Sequence, residues 1–226
     1  MTIAKNWAAV RARVAAACDR AGRPASDVTI VAVSKTHPAS AVAEAAAAGA
    51  TDFGENYAQE LAAKQDELTL DVRWHYVGRL QSNKAKLVAG KVALVHAVDS
   101  VDLAAELGKR AARVQPILLA VNLGGEATKG GVTAEAAQAI ARELVTVANV
   151  RLDGLMTLPP PGDDPEASRP IFEALRELRA RLVGELGVAL PVLSMGMSDD
   201  YEVAIACGAT HVRIGTAIFG GRPGLH

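Results

Sequence analysis

The sequence predicts a single closed (β/α)8 barrel, the TIM-barrel architecture, with an additional N-terminal helix. Eight short apolar segments alternate with helical segments, and this alternation is typical of a parallel sheet. Some strands, such as 117–121, are apolar throughout, which indicates a sheet covered on both faces. At 226 residues, eight β/α units match a closed barrel better than an open doubly wound sheet. We therefore expect one domain over residues 1–226.

The predicted elements are bounded by turn and capping residues. The strands are rich in Val, Ile and Leu, and they cover 28–34, 51–53, 72–77, 92–98, 116–122, 150–157, 191–194 and 210–214. The helices have apolar residues near helical spacing, and they cover 3–20, 38–48, 57–68, 82–89, 100–113, 133–148, 169–186 and 198–207. Pro38 lies in the first turn of the second helix and Gly49 follows its end, while Ser100 and Thr133 are predicted N-caps. Too few residues follow the eighth strand for a long closing helix, so we expect helix 3–20 to cover the barrel there.

The composition argues against several classes of function. Basic and acidic residues nearly cancel, 24 against 25, so neither nucleic acid nor an anionic membrane is an expected partner. Charges interrupt the N-terminal segment 1–19, which therefore does not resemble a signal peptide, and no apolar run is long enough to span a membrane. Cys18 and Cys207 have neither metal nor disulfide spacing, so we expect a cytoplasmic protein without a metal site.

The first strand ends in a lysine that shares a face with two valines. On the period of two that strands impose, Val31, Val33 and Lys35 point to the same side of the sheet. A bare ammonium is costly to bury there, and burial lowers a lysine's pKa and so favours the nucleophilic neutral amine. The alternative is a lysine that simply reaches solvent at the end of the strand. Polar residues at the ends of other strands favour the reactive lysine.

The C-terminal ends of the strands form the active rim of such a barrel. Small residues and a helical turn follow the eighth strand, so the amides of Gly215 and Thr216 are candidates to hold a phosphate. A tight turn without a ligand is the alternative. Ser198, after the seventh strand, either faces the same anion or caps the helix that follows, and the two roles are compatible. Arg213, within the eighth strand, needs a partner: a ligand atom or a structural carboxylate.

Together these residues predict a phosphorylated aldehyde cofactor held as a Schiff base, for which pyridoxal 5′-phosphate (PLP) is the natural candidate. Lys35 would supply the imine nitrogen, and Arg213 would face the pyridine nitrogen. The phosphate would be held by Ser198, Gly215 and Thr216. An arginine at the ring nitrogen keeps that nitrogen unprotonated. The ring is then a poor electron sink, so carbanion chemistry would gain little from it.

Several motifs resemble those of the pyridoxal phosphate homeostasis protein family. They occupy positions 32–36, 53–57, 74–78, 80–84, 194–200 and 212–220. The resemblance extends from about residue 5 to 222. It implies a barrel like the N-terminal domain of alanine racemase, with PLP on Lys35. It also implies a protein that binds and carries PLP without an established enzymatic activity.

Other polar residues allow two interpretations each. Asn56 either contacts the cofactor ring or caps the helix that follows it. The motif that joins Asn122 to Glu126 and Lys129 also resembles the family, and it either shapes the entrance of the site or is a solvated loop. We expect His75 and His211 to be hydrogen-bonded core or rim residues rather than bases.

Two functions are compatible with these predictions. The first is a binding protein that stores PLP, protects the cell from the free aldehyde, or delivers it to apo PLP-dependent enzymes. The second is a racemase of the alanine-racemase type, which needs a second base, a tyrosine that a separate β-rich domain of a partner subunit supplies. This chain has only Tyr57, Tyr76 and Tyr201, and no such domain. We therefore expect a PLP-binding protein, and we expect it to be a monomer.

Overall fold

The structure is a computed structural model that describes residues 2–125 and 130–221, and its strands form a closed parallel barrel. The strands are β1 Thr29–Val33, β2 Asp52–Glu55, β3 Arg73–Tyr76, β4 Leu94–Val98, β5 Gln115–Asn122, β6 Val132–Thr133, β7 Val150–Met156, β8 Val192–Ser194 and β9 His211–Ile214. They pair in the order β4-β3-β2-β1-β9-β8-β7-β5, and β4 also pairs with β5, which closes the ring. The two-residue β6 pairs with β5 alone, so the barrel has the eight strands that the sequence predicts.

Helices surround this barrel. They are α1 Ile3–Arg20, α2 Ala39–Ala47, α3 Ala58–Glu67, α4 Val101–Arg110, α5 Ala134–Leu144, α6 Arg169–Leu186, α7 Tyr201–Ala206 and α8 Thr216–Phe219. The helix predicted at 82–89 is instead a 3₁₀ helix, Ser82–Leu87, because its amides bond three residues back, as Lys84 N does to Gln81 O at 2.9 Å. Within the two described ranges, none of the helices has the length and apolar character needed to cross a membrane.

The N-terminal helix completes the outer layer beside the short helix α8. Helix α1 packs against α2, α7 and α8. The Asn6 side-chain amide donates to the carbonyl of Ile218 at 2.9 Å, and Arg13 and Arg20 each form an ion pair with Glu202 at 2.7 Å. The expectation that helix 3–20 covers this part of the barrel is therefore confirmed.

Strand alternation divides the apolar core into two layers. On β3, Trp74 and Tyr76 point outwards and belong to the large cluster that lies between the barrel and the helices. Val77, just beyond β3, instead joins Val31 and Val33 in a separate small cluster. A third cluster contains Leu94, Leu118, Ala120 and Met156 from β4, β5 and β7. The inward-facing side chains therefore form a core of their own. Residues at the C-terminal ends of the strands line the candidate site.

Candidate functional site

A cavity of about 320 Å³ opens at the C-terminal ends of the strands, within the size range of small-molecule sites. All six residues that the sequence singles out line it, namely Lys35, Asn56, Ser198, Arg213, Gly215 and Thr216. A larger cleft of about 750 Å³ lies between α1 and the N-terminal ends of β1 to β3, and its lining includes Trp7 and Arg11 but no lysine. The predicted site residues thus converge on one cavity, at the end of the barrel where such sites occur.

Lys35 reaches the cavity because it continues the inward face of β1. Val33 and Lys35 both line the cavity, as the period of two predicts, and Lys35 is half-buried. The backbone on either side of it is held from outside the barrel. The carbonyl of Ser34 accepts a hydrogen bond from Lys64 Nζ at 2.8 Å, and Thr36 N donates to Glu60 Oε1 at 2.7 Å. These contacts fix the segment that carries Lys35.

A buried ion pair supports that segment. Lys64 Nζ lies 2.5 Å from Glu55 Oε1 and 2.8 Å from Glu60 Oε1, and the side chains of Lys64 and Glu55 are 5% and 0% exposed. Ser34 Oγ donates to the same Glu55 oxygen at 2.6 Å. Burial raises the pKa of Glu55 above its ordinary value, against the opposing effect of the hydrogen bonds from Lys64 and Ser34. These ion pairs hold the Lys64 ammonium against the carboxylates of Glu55 and Glu60.

Arg213 lies on the inner face of β9 and is 5% exposed. Its Nη1 donates to Ser194 Oγ at 2.5 Å and its Nη2 to the carbonyl of Thr157 at 2.9 Å. Among the ion pairs of the described residues none involves Arg213: the neighbouring strands offer a hydroxyl and a carbonyl, and the charge of Asp200 acts on the guanidinium without an ion pair between them. Burial lowers the pKa of Arg213 to about 10, which leaves the guanidinium charged at pH 7.

Ser198 is brought to the loop that follows β9. Its Oγ accepts a hydrogen bond from Ala217 N at 3.3 Å, beside Gly215 and Thr216. It does not cap α7, because that helix begins three residues later, at Tyr201. The turn before α7 is held by Asp200, whose Oδ1 accepts a hydrogen bond from Met197 N at 2.7 Å. The capping alternative is therefore wrong, and Ser198 lies where an anion at 215–216 would meet its hydroxyl.

Asn56 does not cap the next helix either. The N-cap of α3 is Tyr57, without a side-chain hydrogen bond, and the carbonyl of Asn56 accepts the Tyr76 hydroxyl at 2.9 Å. Gly78 packs directly against the Asn56 backbone. A Cβ at residue 78 would lie only 2.2 Å from the Asn56 backbone oxygen. Asn56 can therefore take its position on the cavity wall only because residue 78 has no side chain.

Sequence reasoning missed two parts of this region. The loop after β7 closes one side of the cavity with Leu158, Pro159 and Pro161. Beneath the cavity, His75 is hydrogen-bonded through both ring nitrogens, to His96 at 2.9 Å and to Asp52 at 3.0 Å. The expectation that His75 is a hydrogen-bonded core residue is therefore confirmed, whereas its partners His96 and Asp52 were missed. The sequence did contain a signal for these buried polar residues: they occupy inward-facing positions of otherwise apolar strands. Glu126 and Lys129, of the loop motif, lie outside the described residues.

Comparisons with known proteins agree with the fold. The model of the family "Alanine racemase, N-terminal domain" matches residues 6–223. A pyridoxal phosphate homeostasis protein of Pseudomonas aeruginosa is 48% identical, over 98% of this chain and 96% of that protein. The structure of PipY of Synechococcus elongatus PCC7942 with PLP bound is 37% identical, with a TM-score of 0.85 over 97% of this chain and 100% of that one.

A more distant structure shares the fold alone. The alanine racemase of Corynebacterium glutamicum is 20% identical with a TM-score of 0.74, and the match covers 99% of this chain but 63% of the racemase. The likeness is thus confined to one part of that enzyme. Taken with the family match over nearly the whole chain, these findings show that the chain belongs to the alanine racemase N-terminal domain family and, within it, to the pyridoxal phosphate homeostasis proteins.

Proposed function

We propose that this protein binds PLP in the cavity at the C-terminal rim of the barrel and serves PLP homeostasis by storage, protection or delivery. One observation carries the proposal: a lysine, a buried guanidinium and a Ser/Gly/Thr group from three strand ends converge on a single cavity. When bound, PLP supplies an aldehyde that reacts with amines, a ring nitrogen that accepts a hydrogen bond, and a phosphate. The cavity has a matching group for each of these three features.

Each residue then has a defined task. Lys35 holds the cofactor covalently through its amine. Ser198, Gly215 and Thr216 would bind the phosphate, and Asn56 would contact the ring. Arg213 can only donate hydrogen bonds and stays charged at pH 7, so it keeps an acceptor nitrogen unprotonated. The ring then withdraws electrons poorly, which favours binding over carbanion chemistry.

The racemase alternative lacks a second base. The residues that line the described cavity include no tyrosine. The hydroxyl of Tyr76 is engaged elsewhere, because it donates to the carbonyls of Asn56 at 2.9 Å and Arg79 at 3.2 Å. Burial raises the pKa of Tyr76 to about 12, which makes it harder still to deprotonate. We therefore infer a binding protein and not an enzyme.

The remaining parts of the proposal concern the setting. We place the protein in the cytoplasm as a monomer, and we propose apo PLP-dependent enzymes as the acceptors of its PLP. The buried free thiols of Cys18 and Cys207 suit a reducing compartment. The half-buried position of Lys35 at an open cavity suits release, because an incoming amine has a path to the covalent link.

The test combines retention, transfer and catalysis in one series. The protein and its Lys35→Ala variant are loaded with PLP, desalted, and mixed with an apo PLP-dependent enzyme. We expect the wild type to retain about one PLP per chain and to reactivate the apo-enzyme, and the variant to retain little. Alanine racemisation above the Lys35→Ala level would overturn the binding-protein proposal. Retention without any reactivation would remove delivery and leave storage.

A further inference from the structure

A continuous row of polar side chains crosses the interior of the barrel. His75 lies 3.0 Å from Asp52 and 2.9 Å from His96, His96 lies 2.8 Å from Ser194, and Ser194 lies 2.5 Å from Arg213. Their exposures range from 0% to 5%. Because β4 and β8 are not neighbours in the sheet, the contact between His96 and Ser194 must pass through the barrel. The row therefore joins the cavity to the far end of β2.

The two ends determine the direction of every hydrogen bond in the row. The guanidinium of Arg213 can only donate, so Ser194 Oγ accepts at that end. At the other end Asp52 is ionised: burial opposes this, but hydrogen bonds from His75, Arg73 and Thr51 hold its pKa well below the ordinary value. An ionised carboxylate only accepts, so His75 Nε2 must carry a proton and donate it.

Proton positions between the ends then follow one by one. Ser194 has one hydroxyl proton, and we infer that it donates this proton to His96 Nδ1, which leaves that nitrogen bare. The proton of His96 therefore sits on Nε2 and is donated to His75 Nδ1. In this assignment each imidazole carries a proton on Nε2 and none on Nδ1, and each donor in the row has one acceptor. Burial lowers the pKa of His96 well below its usual value, in agreement with a neutral ring at His96.

Other charged groups near the row do not interrupt it. The ring of His211 lies 5.9 Å from that of His75 and 6.0 Å from that of His96, while its Nδ1 contacts Thr210 Oγ1 at 3.1 Å. Arg73 forms an ion pair with Asp52 at 2.8 Å from the outside, with 64% of its side chain exposed. The row is thus a connection between a buried guanidinium and a carboxylate, through a hydroxyl and two imidazoles.

We propose that Asp52, His75, His96 and Ser194 are positioning residues that hold Arg213 in one orientation at the cavity floor. An arginine side chain has many rotamers, and in a buried site it needs partners that both fix it and compensate its charge. The row supplies the fixing contacts over four hydrogen bonds that end at Asp52, and the carboxylate of Asp200 supplies the charge that opposes the effect of burial on Arg213. The proposal deepens the proposed function, on which it rests for the identity of the ligand that Arg213 meets.

The first test needs no PLP. Nitrogen-15 NMR of the histidine-labelled protein at pH 7.5 reports which ring nitrogen carries the proton. We expect His75 and His96 each to show a protonated Nε2 and a bare Nδ1. A protonated Nδ1 on either ring, or a mixture of tautomers, would overturn this assignment of the row. This outcome is independent of whether PLP binds, so it separates failure of the row from failure of the proposed function.

The second test measures whether the far end of the row acts on the cavity. Asp52→Asn keeps an oxygen that accepts from His75, whereas Asp52→Leu has a similar size and no acceptor; both lose the charge that pairs with Arg73. We expect PLP binding to weaken about tenfold in Asp52→Leu and about twofold in Asp52→Asn. We also expect the His96 signals to shift in Asp52→Leu, although Asp52 does not contact His96. Equal PLP affinity in both variants and in wild type would contradict positioning.

Discussion

Two lysines near the end of β1, Lys64 and Lys35, lie in opposite kinds of environment. On the outer face, Lys64 is enclosed by Glu55, Glu60 and the carbonyl of Ser34, and its side chain is 5% exposed. On the inner face, Lys35 is half-buried at the edge of an open cavity. Lys64 is surrounded by carboxylates, whereas Lys35 lines a ligand-sized space.

The difference shows how environment, and not residue type, assigns a lysine its role. Three hydrogen-bonding partners hold Lys64 in place, and a buried ammonium with such partners is structural. Its contacts also fix Ser34, the residue before Lys35, so the structural lysine supports the position of the reactive one. Breaking the outer arrangement should therefore lower stability, whereas changing the inner one should alter binding and leave stability nearly unchanged.

Removing the outer ammonium should have the largest effect. Lys64→Met leaves Glu55 buried and unpaired, so we expect the free energy of unfolding at pH 7 to fall by about 3–5 kcal/mol. The matched substitution Lys35→Met should change it by less than about 1 kcal/mol, because Lys35 is half-buried at the cavity. Urea unfolding of both variants measures the difference. The double variant Lys64→Met/Glu55→Gln should recover more than half of the loss, and similar losses in the two single variants would contradict the comparison.

The dependence on pH should sharpen the same contrast. Burial raises the pKa of Glu55, and in Lys64→Met the opposing ammonium is absent. A carboxyl with a raised pKa takes up its proton in the folded state first, so its destabilising effect is full above the folded pKa and shrinks as the pH falls from the folded pKa towards the unfolded one. We expect the gap between wild type and Lys64→Met to narrow from pH 8 to pH 5, by at most about 1.4 kcal/mol per pH unit. A constant gap would mean that Glu55 is not its source.

A smaller effect is expected from the phosphate side of the inner face. Ser198→Ala removes a hydroxyl from the cavity wall and the acceptor for Ala217 N. We expect PLP to bind about threefold to tenfold more weakly, since one hydrogen bond to a charged group is lost. Stability should stay within about 0.5 kcal/mol, because Ser198 is partly exposed and does not cap α7. Unchanged PLP affinity would remove Ser198 from the site.

The sequence predicted what depends on local periodicity and missed what depends on contacts across the barrel. Strand alternation was enough to place Lys35 on the inner face with Val33. The contact from His96 to Ser194 joins strands β4 and β8, which are far apart in the chain, so no local pattern identifies it. The capping interpretation of Ser198 was wrong because a turn held by Asp200 precedes α7, which begins only at Tyr201.

The identity of the reactive lysine is the central claim, and one measurement tests it most directly. The PLP-loaded protein is treated with borohydride, which makes an amine-linked pyridoxyl group permanent, and its peptides are mapped by mass spectrometry. We expect the pyridoxyl group on the peptide that contains Lys35, with none on the peptide that contains Lys64. A label on Lys64, a label spread over exposed lysines, or no label at all would contradict the account.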